Sequence, residues 1–306
     1  MRLKNILRLI NNFRKVRHRA IQFLRTALSK GRYVRDVKEK LPANLVEVAL
    51  FSYTPLFTNQ DRIVVEKVEA IREAVSTGYR EDTVETFGSP HSGTSLFDDR
   101  GQVVPGAAVK STNAGFARTG TGAFGGIQLR KVAEALRSNR ILELGTNTGL
   151  SGCYFLSARQ RPFLYSIEGS QKLSEIARKN LGSFSSAYHV ENSLFDDALS
   201  ELDESRERFD LAFIDGQHEE KATLYYANRI KGLLSEGGAI LFDDIFWSEG
   251  MHSAWSVARK DPDAALTLEL GGRGLCVFRH VNKDSPVINF DQSSYSGRPL
   301  LTREGW

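Results

Sequence analysis

From Arg140 onward, short apolar runs alternate with amphipathic stretches. Runs of strand length cover 141–144, 163–167, 187–190, 210–214, 239–243 and 274–278, and helical spacing covers 150–159, 171–181, 194–203, 219–234 and 250–260. This alternation predicts βαβ units, a largely parallel sheet and right-handed crossovers. Upstream the pattern differs. Leu3, Ile6, Leu7, Ile10, Phe13, Val16, Ala20, Leu24 and Leu28 recur at helical steps, with Arg8, Arg14, Lys15, Arg19 and Arg25 between them. Residues 41–76 read as one or two helices with Ile63, Val64, Val68, Ile71 and Val75 on the inner face. Residues 78–126 hold ten of the 26 glycines, plus Pro90 and Pro105, and read as a long irregular stretch. Its end, Arg118-Thr-Gly-Thr-Gly-Ala-Phe-Gly-Gly126, lacks the Lys-Ser/Thr ending of a P-loop and reads as a lid leading into a helix over 127–137. The polar residues 281–306, with Pro286 and Pro299, read as a surface tail. The expected division is a basic helical extension (1–40), a helical segment with a glycine-rich lid (41–126), an α/β domain (127–280) and a C-terminal tail (281–306).

Composition narrows the class. The 306 residues are 41% apolar and 25% charged, which suits an ordinary globular protein with a sizeable core. Cys153 and Cys276 are too few for a disulfide framework, and with six histidines they make no zinc-finger array. No apolar run approaches the roughly 20 residues that span a bilayer. The formal charge of +4 is uneven, because residues 1–40 carry thirteen Lys/Arg against two acids. The remainder has 28 basic and 35 acidic residues, so it offers no general nucleic-acid footprint. The basic helix would pack on the body or a second copy, lie on an anionic membrane, or grip RNA. A mitochondrial presequence is a lesser alternative, and a secretory signal peptide is not expected because charges interrupt every candidate apolar region.

Two features at strand ends carry chemistry. The first strand ends in Gly145-Thr-Asn-Thr-Gly149-Leu-Ser151-Gly152. Such a strand-to-helix turn lets a ligand approach the backbone, with free N–H groups of the next helix beside it. The spacing is not G-x-G-x-x-G, which counts against a dinucleotide dehydrogenase. The second strand ends in Glu168-Gly169, 23 residues after Gly145, close to the roughly 20 expected for an acid on a ribose.

These residues resemble the class I S-adenosylmethionine (SAM) dependent methyltransferases over roughly 127–279. Glu143-Leu-Gly-Thr-Asn-Thr-Gly-Leu-Ser looks like their first motif and Ser-Ile-Glu168 like their second. The detail resembles the catechol O-methyltransferase-like branch and its small-molecule O-methyltransferase relatives. The resemblance implies a Rossmann-like, seven-stranded, mostly parallel, doubly wound sheet with its last strand reversed. It implies that Glu143, Gly145, Thr146, Asn147, Gly149 and Ser151 line the cofactor, with Gly145, Asn147 and Ser151 at its methionine end. Glu168 and Gly169 would meet the ribose, Asn192 or Ser193 the adenine, and Asp215 the reacting end.

Asp215 and the pair Asp243–Asp244 each follow an apolar run expected to be a buried parallel strand. Three carboxylates at one sheet edge repel one another, and a hard cation such as Mg²⁺ would resolve the conflict. The resemblance points to the same three as metal ligands. In place of that branch's lysine stands Gly216-Gln217-His218, so His218 is the candidate general base. Trp247 and Trp255 would line an acceptor pocket or belong to the core.

The expected function is SAM-dependent methyl transfer to a hydroxyl of a small acceptor by a cytoplasmic protein, with peripheral membrane contact through residues 1–40 and self-association both open. An RNA methyltransferase and a non-catalytic binding or scaffold protein are the alternatives. Against the first, no Asn/Asp-Pro-Pro-Tyr motif follows the fourth strand of the domain. Against the second stand the retained motifs.

Overall fold

The computed structural model describes residues 29–78, 83–87, 108–112, 120–278 and 287–296. The helical pattern over 3–28 and most of the 78–126 stretch lie outside them. Three helices come first: α1 over residues 29–40, α2 (Ala43–Tyr53) and α3 (Asn59–Gly78). Strands β1 (Thr83–Phe87) and β2 (Ala108–Thr112) pair with each other, antiparallel. Helix α4 (Ala123–Leu136) leads into the main sheet, which is built from β3 (Arg140–Leu144), β4 (Phe163–Ile167), β5 (Tyr188–Glu191), β6 (Phe209–Ile214), β7 (Leu234–Phe242), β8 (Ala264–Leu270), β9 (Arg273–Phe278) and β10 (Ile288–Phe290). Between strands run α5 (Leu150–Leu156), α6 (Gln171–Gly182), α7 (Phe195–Ser205), α8 (Glu220–Lys231) and α9 (Glu249–Ala258), and α10 (Ser293–Ser296) follows the last strand.

The sheet order is β10-β8-β9-β7-β6-β3-β4-β5. Among the described strands of this sheet only β9 is reversed; it lies antiparallel to both β7 and β8. Seven of the strands form the expected mostly parallel sheet with one strand reversed, and β10 adds an eighth beside β8. Part of the expected surface tail is therefore sheet: Phe290 and Gln292 are buried. Strand β8 also lies where no strand was expected. Strand β7 starts at Leu234, inside the expected 219–234 helix, because Gly232 closes α8 and the register slips before Ala239.

The central strands are apolar on both sides because helices cover both faces. Ile141, Leu211, Phe213 and Leu241 join one core with α1 to α6, while Leu142, Leu144, Ala212, Ile214 and Ile240 join another with α7 to α9. Residues 29–40 belong to this body. Tyr33 and Val37 are fully buried, and Tyr33 stacks on Tyr53 at 4.2 Å and meets the edge of Tyr295 at 5.2 Å. Tyr295 in turn donates to Asp36 at 2.7 Å. No helix among the described residues is long and apolar enough to cross a membrane.

Helix α4 begins inside the glycine run expected to be lid. The reason is packing: a Cβ on Gly126 would lie 2.1 Å from the Tyr154 ring of α5. Gly126 is thus a close helix–helix contact rather than a loop breaker. Gly126→Ala should lower the urea midpoint without changing the m-value. The overpacking cost of about 1–3 kcal/mol exceeds the helix-propensity gain of up to about 1 kcal/mol.

Candidate active site

Strand register builds the site. Leu144 is level with Ile167 on one side and Ile214 on the other, and Ile214 is level with Phe242. The next residues, Glu168, Gly145, Asp215 and Asp243, therefore form a row along the C-terminal edge, at steps of about 4.8 Å. Backbone hydrogen bonds continue the ladder into this row: Gly145 N–H to Ile167 O at 3.1 Å, Asp215 N–H to Leu144 O at 3.0 Å, and Asp243 N–H to Ile214 O at 3.0 Å. Strand β9 runs the other way with Gly274 opposite Phe242, which sets Arg273 across from Asp243.

The turn after β3 is tight. Gly145 (φ +97°), Asn147 (φ 50°) and Gly149 (φ 82°) all take left-handed conformations. Gly145 cannot be replaced without strain, since a Cβ there would lie 2.4 Å from Asp215 O. The turn closes through Gly149 N–H to Thr146 O at 2.8 Å, and the Thr146 hydroxyl pairs with Ser166 Oγ at 2.6 Å.

Beneath the turn, Glu143 is fully buried and accepts from Ser151 Oγ and Ser166 Oγ, each at 2.5 Å. Burial pushes its pKa up to about 7, the two serine hydrogen bonds oppose this, and Asp215 and Glu168 add to the rise. Ser151, expected at the methionine end of a cofactor, here spends its hydroxyl on Glu143. Glu168 accepts backbone N–H from Asn147 at 2.8 Å and from Ser170 at 2.9 Å. Burial raises it to about 7 despite both bonds. Each carboxylate oxygen has two acceptor positions, so one on each remains for a ligand. Asn192 Nδ2 donates to Glu168 O at 2.9 Å and Gly169 O at 3.3 Å, bracing the loop, and Ser193 Oγ donates to Leu194 O. Asn147 Oδ1 and Thr148 Oγ1 are buried with no hydrogen-bond partner among the described residues.

On the other side of the turn, burial and the neighbouring Asp243 raise Asp215 to about 7, with His218 opposing. His218 Nε2 lies 3.5 Å from Asp215 Oδ1 and 3.4 Å from Asp244 Oδ2. Burial lowers the pKa of this imidazole, but the carboxylates outweigh it and the net shift is upward. Asp244 is placed by a left-handed backbone (φ 52°) and by its N–H donating to Asp243 Oδ1 at 2.9 Å.

Asp243 is held by Arg273, with Nε to Oδ1 at 3.0 Å and Nη2 to Oδ2 at 3.1 Å. The three acids expected to share Mg²⁺ therefore do not fit that role. Both oxygens of Asp243 serve a buried guanidinium, and Asp215 and Asp244 flank an imidazole. A divalent cation on Asp243 would face the guanidinium at close range, where unit charges 4 Å apart repel by about 4 kcal/mol. Among the described residues no group of three or more His, Cys, Asp or Glu could hold a metal. Arg273 is the residue that sequence reasoning missed. The available signal was a lone arginine between Gly272 and Gly274, opening an apolar strand. Of the two tryptophans, Trp255 is core, packed on Gly274 with Nε1 to Glu269 at 3.3 Å, whereas the Trp247 ring lies 6.2 Å from His218.

Comparison with known proteins adds one family match. Residues 142–245 match the family model described as a methyltransferase domain. The match runs from β3 to just past Asp244, so the part of the chain that is similar to a methyltransferase domain spans the whole carboxylate row. No curated protein sequence matches. Many solved structures resemble it at low identity. An O-methyltransferase from Bacillus cereus in complex with S-adenosylhomocysteine (SAH) is 17% identical, with a TM-score of 0.48 over 75% of this chain and 95% of that one. The SAH-bound Podospora anserina methyltransferase PaMTH1 is 17% identical, with a TM-score of 0.49 over 79% and 98%.

The buried acids give a pH signature. The folded protein holds the Glu143 proton more tightly than the unfolded chain does, whose glutamate pKa is ordinary. This stabilisation is complete below the unfolded pKa and is lost as pH rises through about 7. Glu143→Gln stays neutral throughout. The unfolding free energy of the variant, relative to the parent, should therefore rise between about pH 5 and about pH 8, by up to about 3 kcal/mol. Chemical denaturation at several pH values measures it, and a flat difference would mean Glu143 is ordinarily acidic.

Proposed function

We propose that this protein transfers the methyl group of SAM to a hydroxyl of a small acceptor. The observation that carries the reading is the set of three carboxylates around the Gly145–Gly149 turn, buried Glu143 and Glu168 and half-buried Asp215, each pushed up to about 7. Burial disfavours their charged forms until a cation arrives. SAM brings an ammonium and a sulfonium, and when bound it supplies an electrophilic methyl group.

Glu168 would take the ribose hydroxyls on its two remaining acceptor positions. Asn147 Oδ1, buried and without a partner among the described residues, suits the ammonium. Gly145 lets the turn approach closely. Asn192 fixes the loop that carries Glu168 rather than reading a base itself.

His218 would act as general base. Its Nε2 faces Asp215 and Asp244, so the acceptor proton goes to Nδ1. The two carboxylates hold the ring orientation and stabilise the imidazolium that forms. With SAM held by Glu168, Asn147 and the Gly145 turn, the cofactor would supply the methyl group that replaces the hydroxyl proton. Trp247 near His218 suits an acceptor wall. The acceptor itself is read only as small and hydroxylated.

Calorimetry should detect SAM and SAH binding, and Glu168→Ala should weaken it by about 1.5–3 kcal/mol. Absent binding in folded protein would overturn the assignment. With an acceptor found by screening for methylated products, His218→Ala should lower turnover by roughly 10²–10⁴-fold. Because the base works only unprotonated and its pKa is raised, the acid limb of the parent's rate profile should lie above the ordinary histidine value of 6.5. The same limb persisting in His218→Ala would remove this residue from the chemistry.

A further inference from the structure

We infer that Arg273 fills the place a divalent cation would take at the strand ends, so that this site neutralises its acids with its own side chains and works without a metal. The inference rests on the methyltransferase reading only for its consequence in turnover; the cation measurement below stands without it.

Register is the first support. Gly274 pairs with Phe242 across β7 and β9, so Arg273 and Asp243 are cross-strand neighbours by construction. Reversal of β9 is what brings the start of a strand to the edge where the others end. The second support is how fully the guanidinium is used. Nε and Nη2 grip the two oxygens of Asp243, while Nη1 donates to Gly125 O at 2.8 Å and Gln128 Oε1 at 2.9 Å. Arg273 is itself buried and lies over the Phe213 ring at 5.7 Å. A side chain tied to three partners in a dry setting is a fixed part of the site, not a surface arginine passing by.

The third support is the count of acceptor positions. Asp243 Oδ1 already accepts from Asp244 N–H and Arg273 Nε, which fills both its positions, and Oδ2 accepts from Nη2. A cation would need Asp243 to let go of the arginine, leaving a buried guanidinium without its counter-charge. Asp215 and Asp244 already share a partner in the His218 ring, whose Nε2 lies between them. The arrangement also links two parts of the molecule. Through Gly125 and Gln128, Arg273 ties the start of α4 to the end of β7, and Arg72 on α3 donates to Gly120 O just upstream. A metal could neutralise Asp243, but it could not hold the chain entering α4.

The test is Mn²⁺ binding to the full-length, EDTA-treated protein in the presence of SAH, followed by electron paramagnetic resonance of free Mn²⁺. The parent should show no stoichiometric site tighter than about 1 mM. A saturable one-to-one site that Asp243→Asn removes would overturn the inference. Arg273→Met releases Asp243 and should tighten Mn²⁺ binding by about 10–100-fold. A folded Arg273→Met protein with no gain would overturn the role given to Arg273. If that variant fails to fold, Arg273→Lys keeps one positive charge without the fork, and it should bind Mn²⁺ more tightly than the parent; no change would again count against Arg273. Turnover, once an acceptor is known, should be equal in EDTA and in Mg²⁺, and a strict need for Mg²⁺ would overturn the inference. Absence of any SAH binding or turnover would instead strike the methyltransferase reading, while the Mn²⁺ arm still decides the question about Arg273.

Discussion

Everything at this site depends on one constraint: four parallel strands end at the same level. With Ile167, Leu144, Ile214 and Phe242 in register, the residue that follows each is forced to the same edge. Hydrophobic packing sets that register, because a slip of one residue would turn Leu142, Leu144, Ala212 and Ile214 from one core to the other. The charged groups are placed by apolar ones. Burial then suppresses the acidity of Glu143, Glu168 and Asp215, and the site's polarity toward cations follows from the same packing.

The acids divide into two groups by how they are answered. Asp243 has a permanent partner in Arg273, supplied by the one reversed strand. Glu143 and Glu168 are answered only by hydroxyl and backbone hydrogen bonds, which favour the charged forms but do not offset burial. Asp215 lies between, with the imidazole opposing but not cancelling its burial. The side of the row nearest β4 is thus short of positive charge, and the side nearest β9 is balanced. A positively charged group is favoured on the first side more than on the second.

The sequence made much of this legible where a strand is a solid apolar run. Strands β3, β4, β6 and β7 are such runs, and Glu168, Asp215 and Asp243 follow from their ends. Strand β8 was hidden because Thr267 and Glu269 interrupt it; both are buried through side-chain partners that no local pattern announces, Asn289 for the first and Trp255 and Ser293 for the second. Strand β10 has three residues in a polar stretch and exists only by pairing with β8. The start of α4 was obscured by glycines whose reason is a tyrosine 28 positions later. The partner of Asp243 was hidden in the same way: three acids repelling one another is an inference that spacing allows, but the arginine that answers one of them comes from a strand of opposite direction, 30 residues further on.

The contact between Tyr33 and Tyr295 has a consequence for synthesis. Helix α1 is among the first described parts of the chain to be made, yet Tyr33, Val37 and Asp36 are covered by Phe290 and Tyr295. During translation these groups wait, uncovered, until Phe290 and Tyr295 have been made. A message truncated before Phe290 would yield a chain whose central sheet can form while an aromatic patch stays open at its edge. Such a product would keep Tyr33 and Val37 open to solvent, so β10 and α10 complete the cover of a surface laid down more than 250 residues earlier.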